Sequence, residues 1–407
     1  MDILFADITG WSLLKIAAIP FISGIVGWLT NVLALKMTFY PLEFVGIKRF
    51  GLGWQGIIPS KATKMASKSV DMMTSKLIKV ETVFSRMEPM RVAEEMGPAM
   101  QRLTHDIIEE TMREEAPLIW DNAPALLKRR IYQRASEDLP DIIELLMREV
   151  KNEITDLFDL KGMVVEALEH DKPLLNHIFL KVGEKEFRFI ERSGFYFGFA
   201  FGIVQAVMFF FFQSWWILPL FGLLVGWATN WLALRLIFEP QEPKRYFGFV
   251  VQGLFIKRQK EVAQEYAKII AERILTTQNI FENMIQGPAS DRLIEMVARQ
   301  VKHAVDMTAG LSRPLYQLAQ GTKRYDRIKE HIADRFVEEL PGSIRHMFRY
   351  AEQSMAVEET LRDKMIALSP TEFEGFLRPV FQEDEAKLIA VGAALGAIAG
   401  FAQLLLF

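Results

Sequence analysis

Ile25-Val-Gly-Trp-Leu-Thr-Asn-Val-Leu-Ala-Leu-Lys36 recurs half a chain later as Leu224-Val-Gly-Trp-Ala-Thr-Asn-Trp-Leu-Ala-Leu-Arg235. Each copy sits in a long apolar stretch closed by a basic residue, about Trp11 to Phe39 and about Trp215 to Phe238. A helix needs about 20 apolar residues to cross a bilayer. The recurring pair therefore predicts membrane helices and a tandem duplication together.

The match extends outward. Pro20 aligns with Pro219, Phe39-x-Pro41 with Phe238-x-Pro240, and Gln55-Gly56 with Gln252-Gly253. Farther on, Glu184-x-Glu186-x-Arg188-x-Ile190 aligns with Glu383-x-Glu385-x-Lys387-x-Ile389. Each of these runs into a glycine ladder, Gly194, Gly198 and Gly202 in one half and Gly392, Gly396 and Gly400 in the other. Gln205 and Gln403 follow at equal spacing. The ladders open two further apolar stretches, about Gly194 to Phe212 and about Leu388 to Phe407. Each half reads as span, long segment, span, with one topology, as in parallel repeats.

The predicted fold class is an all-α integral membrane protein with four transmembrane helices and extended helical bundles outside the bilayer. Residues 1–10 are expected outside, 11–40 as the first span and 41–191 as the first cytoplasmic segment. Then come spans at 192–213 and 214–239, a second cytoplasmic segment at 240–386 and a last span at 387–407. Basic residues flank the long segments (Lys36, Lys61, Lys64 and Lys68; Arg235, Lys257, Arg258 and Lys260), and Asp2 and Asp7 lie at the other side. By the positive-inside rule both segments are cytoplasmic and both termini outside, with Trp11, Trp215 and Trp216 in the outer aromatic belt. The apolar stretch near the N-terminus is too long for a cleaved leader and reads as a retained span.

Ile142, Leu146, Val150, Ile154 and Phe158 recur along one helical face of the first segment. Prolines such as Pro89, Pro98, Pro117 and Pro341 read as helix punctuation. No stretch alternates as a strand bounded by a hairpin turn.

Of the 407 residues, half are hydrophobic and 24% charged, which fits a chain partly in lipid and partly in water. A net charge of -3 gives no basic character that would call for nucleic acid. There is no cysteine, so disulfides, thiol nucleophiles and thiolate metal sites are excluded. His105 and Glu109 stand one turn apart, but two ligands do not make a metal centre, and no His-Glu-x-x-His or Gly-x-Ser-x-Gly pattern occurs. The expectation is no cofactor, no metal and no enzymatic activity.

On a helix, Gly27, Thr30, Asn31 and Ala34 share one face, and Gly226, Thr229, Asn230 and Ala233 repeat it. The bland reading is a packing seam between spans. The sharper one is a polar path, because polar residues inside membranes often mark function. The ladders also read as close packing, against these helices or a second subunit. Gly51 to Pro59 lacks a phosphate-binding pattern and reads as a loop dipping into the inner leaflet at Trp54. Lys61 and Lys64, with Lys257 and Arg258 in the other half, are candidate contacts for anionic headgroups at about 1 kcal/mol each.

The paired Gly-Trp-x-Thr-Asn-x-Leu-Ala-Leu segments, Gly53-Trp-Gln-Gly-Ile-Ile-Pro-Ser-Lys61 and Gly183-Glu-Lys-Glu-Phe-x-Phe-Ile190 together resemble the bacterial membrane-protein family catalogued as domain of unknown function 445. The resemblance implies a bacterial inner-membrane protein with large cytoplasmic helical regions. It brings no activity and no catalytic residues. The leading reading is a scaffold whose helical arms contact membrane lipids, a protein partner or a second copy. The alternative is a transporter or lipid-handling protein, and a membrane-embedded enzyme comes third. A long apolar groove in the arms would favour lipid handling.

Overall fold

The structure is a computed structural model that describes residues 10–47, 49, 52–212, 214–246, 248–310, 322–382 and 385–404. Residues 1–9 of the expected outside terminus, Gln213 of the turn between the middle spans, Pro314 and the last three residues lie outside the described set.

Four helices are long and apolar enough to cross a membrane: Gly10–Phe39, Glu184–Phe212, Ile217–Phe238 and Glu385–Leu404. They are called the first to fourth spans below. In hydrocarbon no water can satisfy the backbone, so an uninterrupted apolar stretch forms the one local structure that pairs its own N–H and C=O groups. The second span starts ten residues before Gly194, at Glu184, because Glu184-Lys-Glu-Phe-Arg-Phe-Ile continues the same helix into its charged approach.

The chain divides into two compact units, one of residues 1–73, 165–268 and 362–407 and one of 74–164 and 269–361. In the first unit, the first span lies along the second and the third along the fourth. Their outer faces keep large apolar side chains exposed, among them Phe21, Ile25, Trp28, Leu220 and Trp227. Lipid solvates such a face as well as another helix would.

Just after the first and third spans the helical expectation fails. Val45–Ile47 pairs antiparallel with Leu52–Trp54, and Lys244–Tyr246 with Phe249–Val251. Strands of three residues are too short to show alternation. Gly46, with φ of +142°, sits opposite Gly53, where a Cβ would collide with the neighbouring strand. Each hairpin is tied back to the span before it. Gly56 N–H donates to Pro41 O and Gly253 N–H to Pro240 O, both at 2.9 Å. The Gln55 amide donates to Leu42 O at 2.8 Å and that of Gln252 to Gln241 O at 3.1 Å.

The second unit is a helical bundle. Its long helices are Pro89–Glu115 and Ala125–Asn152 from one stretch of chain, and Ser290–Ala309 and Thr322–Ser343 from the other. The short Pro117–Asn122 helix joins the first two. Pro89 and Pro117 stand in first turns, where the missing N–H leaves nothing unpaired. Pro98, Pro140 and Pro341 lie inside helices, so here proline does not punctuate. The buried line of the Ala125–Asn152 helix is Leu139, Ile143, Met147 and Val150, one residue round from Ile142 and Leu146.

Candidate functional site

Inside the membrane helices the polar stripes meet the ladders. A Cβ on Gly27 would collide with the Gly194 carbonyl, and one on Gly226 with that of Gly392. A Cβ on Gly198 would press on Ser23 and Gly24, and one on Gly202 on Pro20 and Ser23. Gly396 backs onto Gly222, and Gly400 onto Leu218 and Pro219. The absence of side chains lets the backbones touch, and the amides exploit that approach. Asn31 Nδ2 donates to Ile190 O at 2.7 Å, and Asn230 Nδ2 to Leu388 O at 2.9 Å. Thr30 Oγ1 bonds Gly27 O at 3.0 Å, and Thr229 Oγ1 lies 3.5 Å from Asn31 Oδ1. Ser23 Oγ donates to Gln205 Oε1 at 2.6 Å, and Gln205 Nε2 lies 3.4 Å from Gln403 Oε1. Ala34 and Ala233 are buried beside them, and Asn31 is fully buried. Each of these polar side chains has a protein partner, the stripe carries no charge, and close backbone contact fills its faces.

The side chains expected at headgroups lie where the spans meet their flanking segments. Trp54 Nε1 donates to Met37 O at 3.0 Å, and the buried Asn176 amide donates to Phe39 O at 2.6 Å. The last carbonyls of a helix have no partner within it, so these two side chains cap the first span. The indole N–H of Trp54 is thus committed to a cap. Arg258 is committed too. Its guanidinium grips both carboxylate oxygens of Glu186 at 2.6 and 2.7 Å and reaches Glu261 at 3.0 Å. Glu186 is almost wholly buried. Burial works against the Arg258 charge, but the bonds and charges of Glu186 and Glu261 outweigh it and hold the guanidinium above its ordinary range. Glu261 is held below the usual carboxylate range by Lys185, at 2.6 Å, and by Arg258. Lys64 and Lys257 are exposed, and Lys61 is half-buried.

The second unit holds the feature that no motif pointed to. Its helices enclose a partly open cavity of about 370 Å³. Met100, Ile107, Leu139, Ile143, Val297 and Ile332 line it, and nearly the whole lining is apolar. One polar group on the wall, the Thr104 hydroxyl, is buried and makes no hydrogen bond. At one end Trp120 is buried, with its Nε1 donating to Glu109 Oε2 at 3.0 Å. The Tyr132 hydroxyl donates to the same oxygen, and Arg113 pairs with the other at 2.7 Å. The Tyr132 bond leads the influences that hold Glu109 below its ordinary range. Burial, then Glu109, pushes the Tyr132 hydroxyl up. The His105 ring lies against Tyr132, with centroids 4.1 Å apart and the planes tilted by 32°. Glu109 is therefore occupied by aromatic donors, and among the described residues no three His, Asp or Glu side chains gather as metal ligands.

Four membrane-length helices joined to a separate helical unit make this a multi-helix membrane protein. Its sequence is similar to bacterial proteins described as UPF0754 membrane proteins. One from Bacillus pumilus is 26% identical over 140 residues, 33% of this chain and 36% of the relative. One from Staphylococcus aureus is 31% identical over 84 residues, 20% and 22% of the two chains. One from Staphylococcus epidermidis is 26% identical over 83 residues, with the same coverage of 20% and 22%. The chain thus spans about a third or less of the length of the curated relatives it matches. No protein-family model matches it, and neither does any solved structure.

Proposed function

We propose that this protein is a membrane-anchored lipid-handling protein that lodges an acyl chain in the apolar cavity of its second unit. The cavity is the observation that carries the reading. Its volume of about 370 Å³ falls in the range of ligand pockets, roughly 300 to 1,000 Å³. The cavity is partly open and leaves apolar side chains uncovered, which a hydrocarbon chain would cover with a gain from the hydrophobic effect. Met96, Met100, Met112 and Met147 on the wall are unbranched and polarizable, and adapt to a chain of variable shape. The Thr104 hydroxyl offers one donor to an ester oxygen.

The scaffold favoured from sequence alone gives way to this reading, and a pathway along the Asn stripes is disfavoured by the close packing there. The proposed role is binding without catalysis. We read the spans as two parallel repeats in a bacterial inner membrane, with both long segments cytoplasmic and both termini outside. The duplicated motifs and the basic flanks support this, and the likeness to the family of domain of unknown function 445 is kept with it.

The test is lipid retention by the full chain. Purified wild type stripped of annular lipid should keep a stoichiometric lipid by native mass spectrometry. A variant with Ala135→Trp and Ala304→Trp, which fills the cavity, should lose it. A filled variant that retains the same lipid, or a wild type that retains none, would sink the proposal.

A further inference from the structure

Where the Pro117–Asn122 helix turns into the Ala125–Asn152 helix, the second unit bares three leucines: Leu118 is 82% exposed, Leu126 65% and Leu127 49%. A single exposed leucine is ordinary. Three on one turn, beside Lys128-Arg-Arg130 and Arg134, are the combination that lets a helix end sit in a membrane interface. The charges around the turn settle which cations are available. Glu109 takes Arg113, Glu114 pairs with His331, Glu115 with Arg327 and Glu110 with Arg335. Lys128 lies over the Trp120 ring at 4.9 Å. Arg129 and Arg130 are exposed and make no ion pair among the described residues. Asp121 is the one acid on the turn itself. Leu127 also lines the cavity, as do Ile119 and Ala123. Apolar tip, free arginines and part of the cavity wall therefore coincide.

We propose that this turn docks on an anionic bilayer surface. Leu118, Leu126 and Leu127 enter the boundary between headgroups and chains, Arg129 and Arg130 bind phosphates, and the cavity opens onto lipid. The inference rests on the lipid-handling reading for what enters the cavity, while docking stands on the exposed side chains alone. An anionic membrane is favoured over a protein partner because the patch pairs unspent positive charge with leucines at its edge, and a phospholipid surface supplies both complements.

The chain has no cysteine, so a Leu126→Cys variant takes an environment-sensitive dye at that point alone. The labelled full chain is held in phosphatidylcholine nanodiscs and mixed with vesicles. Phosphatidylglycerol vesicles should brighten and blue-shift the dye, and phosphatidylcholine vesicles should not. Adding Arg129→Gln and Arg130→Gln should weaken binding about thirtyfold, at ~1 kcal/mol for each lost charge, and high salt should act in the same direction. No response to anionic vesicles overturns the proposal. So does an equal response to neutral ones, or a response that grows with protein concentration in the absence of vesicles, which would mark contact between copies. Wild type separates the two readings. Docking by wild type without retained lipid defeats the lipid reading, and retained lipid without docking defeats this one, while the cavity-filled variant should dock and lose the lipid.

Discussion

Asn31 donates to the carbonyl of Ile190 at 2.7 Å across 159 residues of chain. The bond is possible because Gly27 and Gly194 let the first and second spans touch backbone to backbone. Interhelical bonds of this kind average ~0.6 kcal/mol in membranes and reach about 1.7. Asn31→Ala should therefore lower stability by about 1 kcal/mol, read from the midpoint of unfolding in a denaturing detergent. An unchanged midpoint would count against this contact as a joint between the spans.

Two glycines should respond with opposite sign. Gly27→Val drives its side chain into the Gly194 carbonyl, and overpacking of that kind costs about 1 to 3 kcal/mol. Gly342 lies in the last turn of the Thr322–Ser343 helix with nothing near the position of a Cβ. Gly342→Ala should raise the melting temperature, since alanine gains up to ~1 kcal/mol over glycine in a helix. Stabilisation by Gly27→Val would refute the packing account.

Breaking the Glu186–Arg258 pair should be expensive. Removing one member of a buried pair costs about 3 to 5 kcal/mol, and the partial exposure of Arg258 places Arg258→Ala near the lower end. Glu186→Leu combined with Arg258→Met should recover most of the loss, because no uncompensated charge remains buried. A double variant as unstable as the single one, in thermal unfolding, would show that the pair does more than neutralise itself.

Acid should weaken the second unit through Glu109. Tyr132, then Trp120, Arg113 and Lys128, hold its carboxyl below the ordinary 4.5 against its own desolvation. With the folded value below the unfolded one, the stabilisation is complete above the unfolded value and is lost as pH falls through the folded one. Thermal stability should fall on acidification past 4.5, and Glu109→Gln should flatten that dependence. Parallel curves for the two proteins would remove Glu109 from the account.

The four apolar helices were legible because a bilayer demands a length of apolar residues that little else produces. The polar stripe was legible as a face, since Gly27, Thr30 and Asn31 are fixed by helical geometry. What Asn31 meets was not, because the Ile190 carbonyl belongs to every residue type alike and leaves no mark in sequence. The same holds for Trp54, whose bond to the Met37 carbonyl leaves no mark in the sequence. The hairpins escaped because three residues cannot display a period of two. The cavity escaped for a deeper reason. Ile143 and Val297 sit at helical spacing whether they face a neighbour or a gap, so periodicity identifies an inward face and says nothing about how full the inside is. Exposed Leu126 was hidden likewise, close to Arg129 and Arg130 in a helix whose other face is buried.

The second unit is assembled from two separated stretches of chain, 74–164 and 269–361. On the ribosome these are not neighbours. The face carrying Ile107 and Ile143 is complete before Val297 and Ile332 exist, and the second and third spans are made in between. At 5 to 20 residues per second that interval is on the order of 10 s. For that time the nascent chain holds a wide apolar surface in water, next to the membrane that receives its helices. Until Val297 and Ile332 are made, that surface lacks half of the side chains that face it in the finished unit.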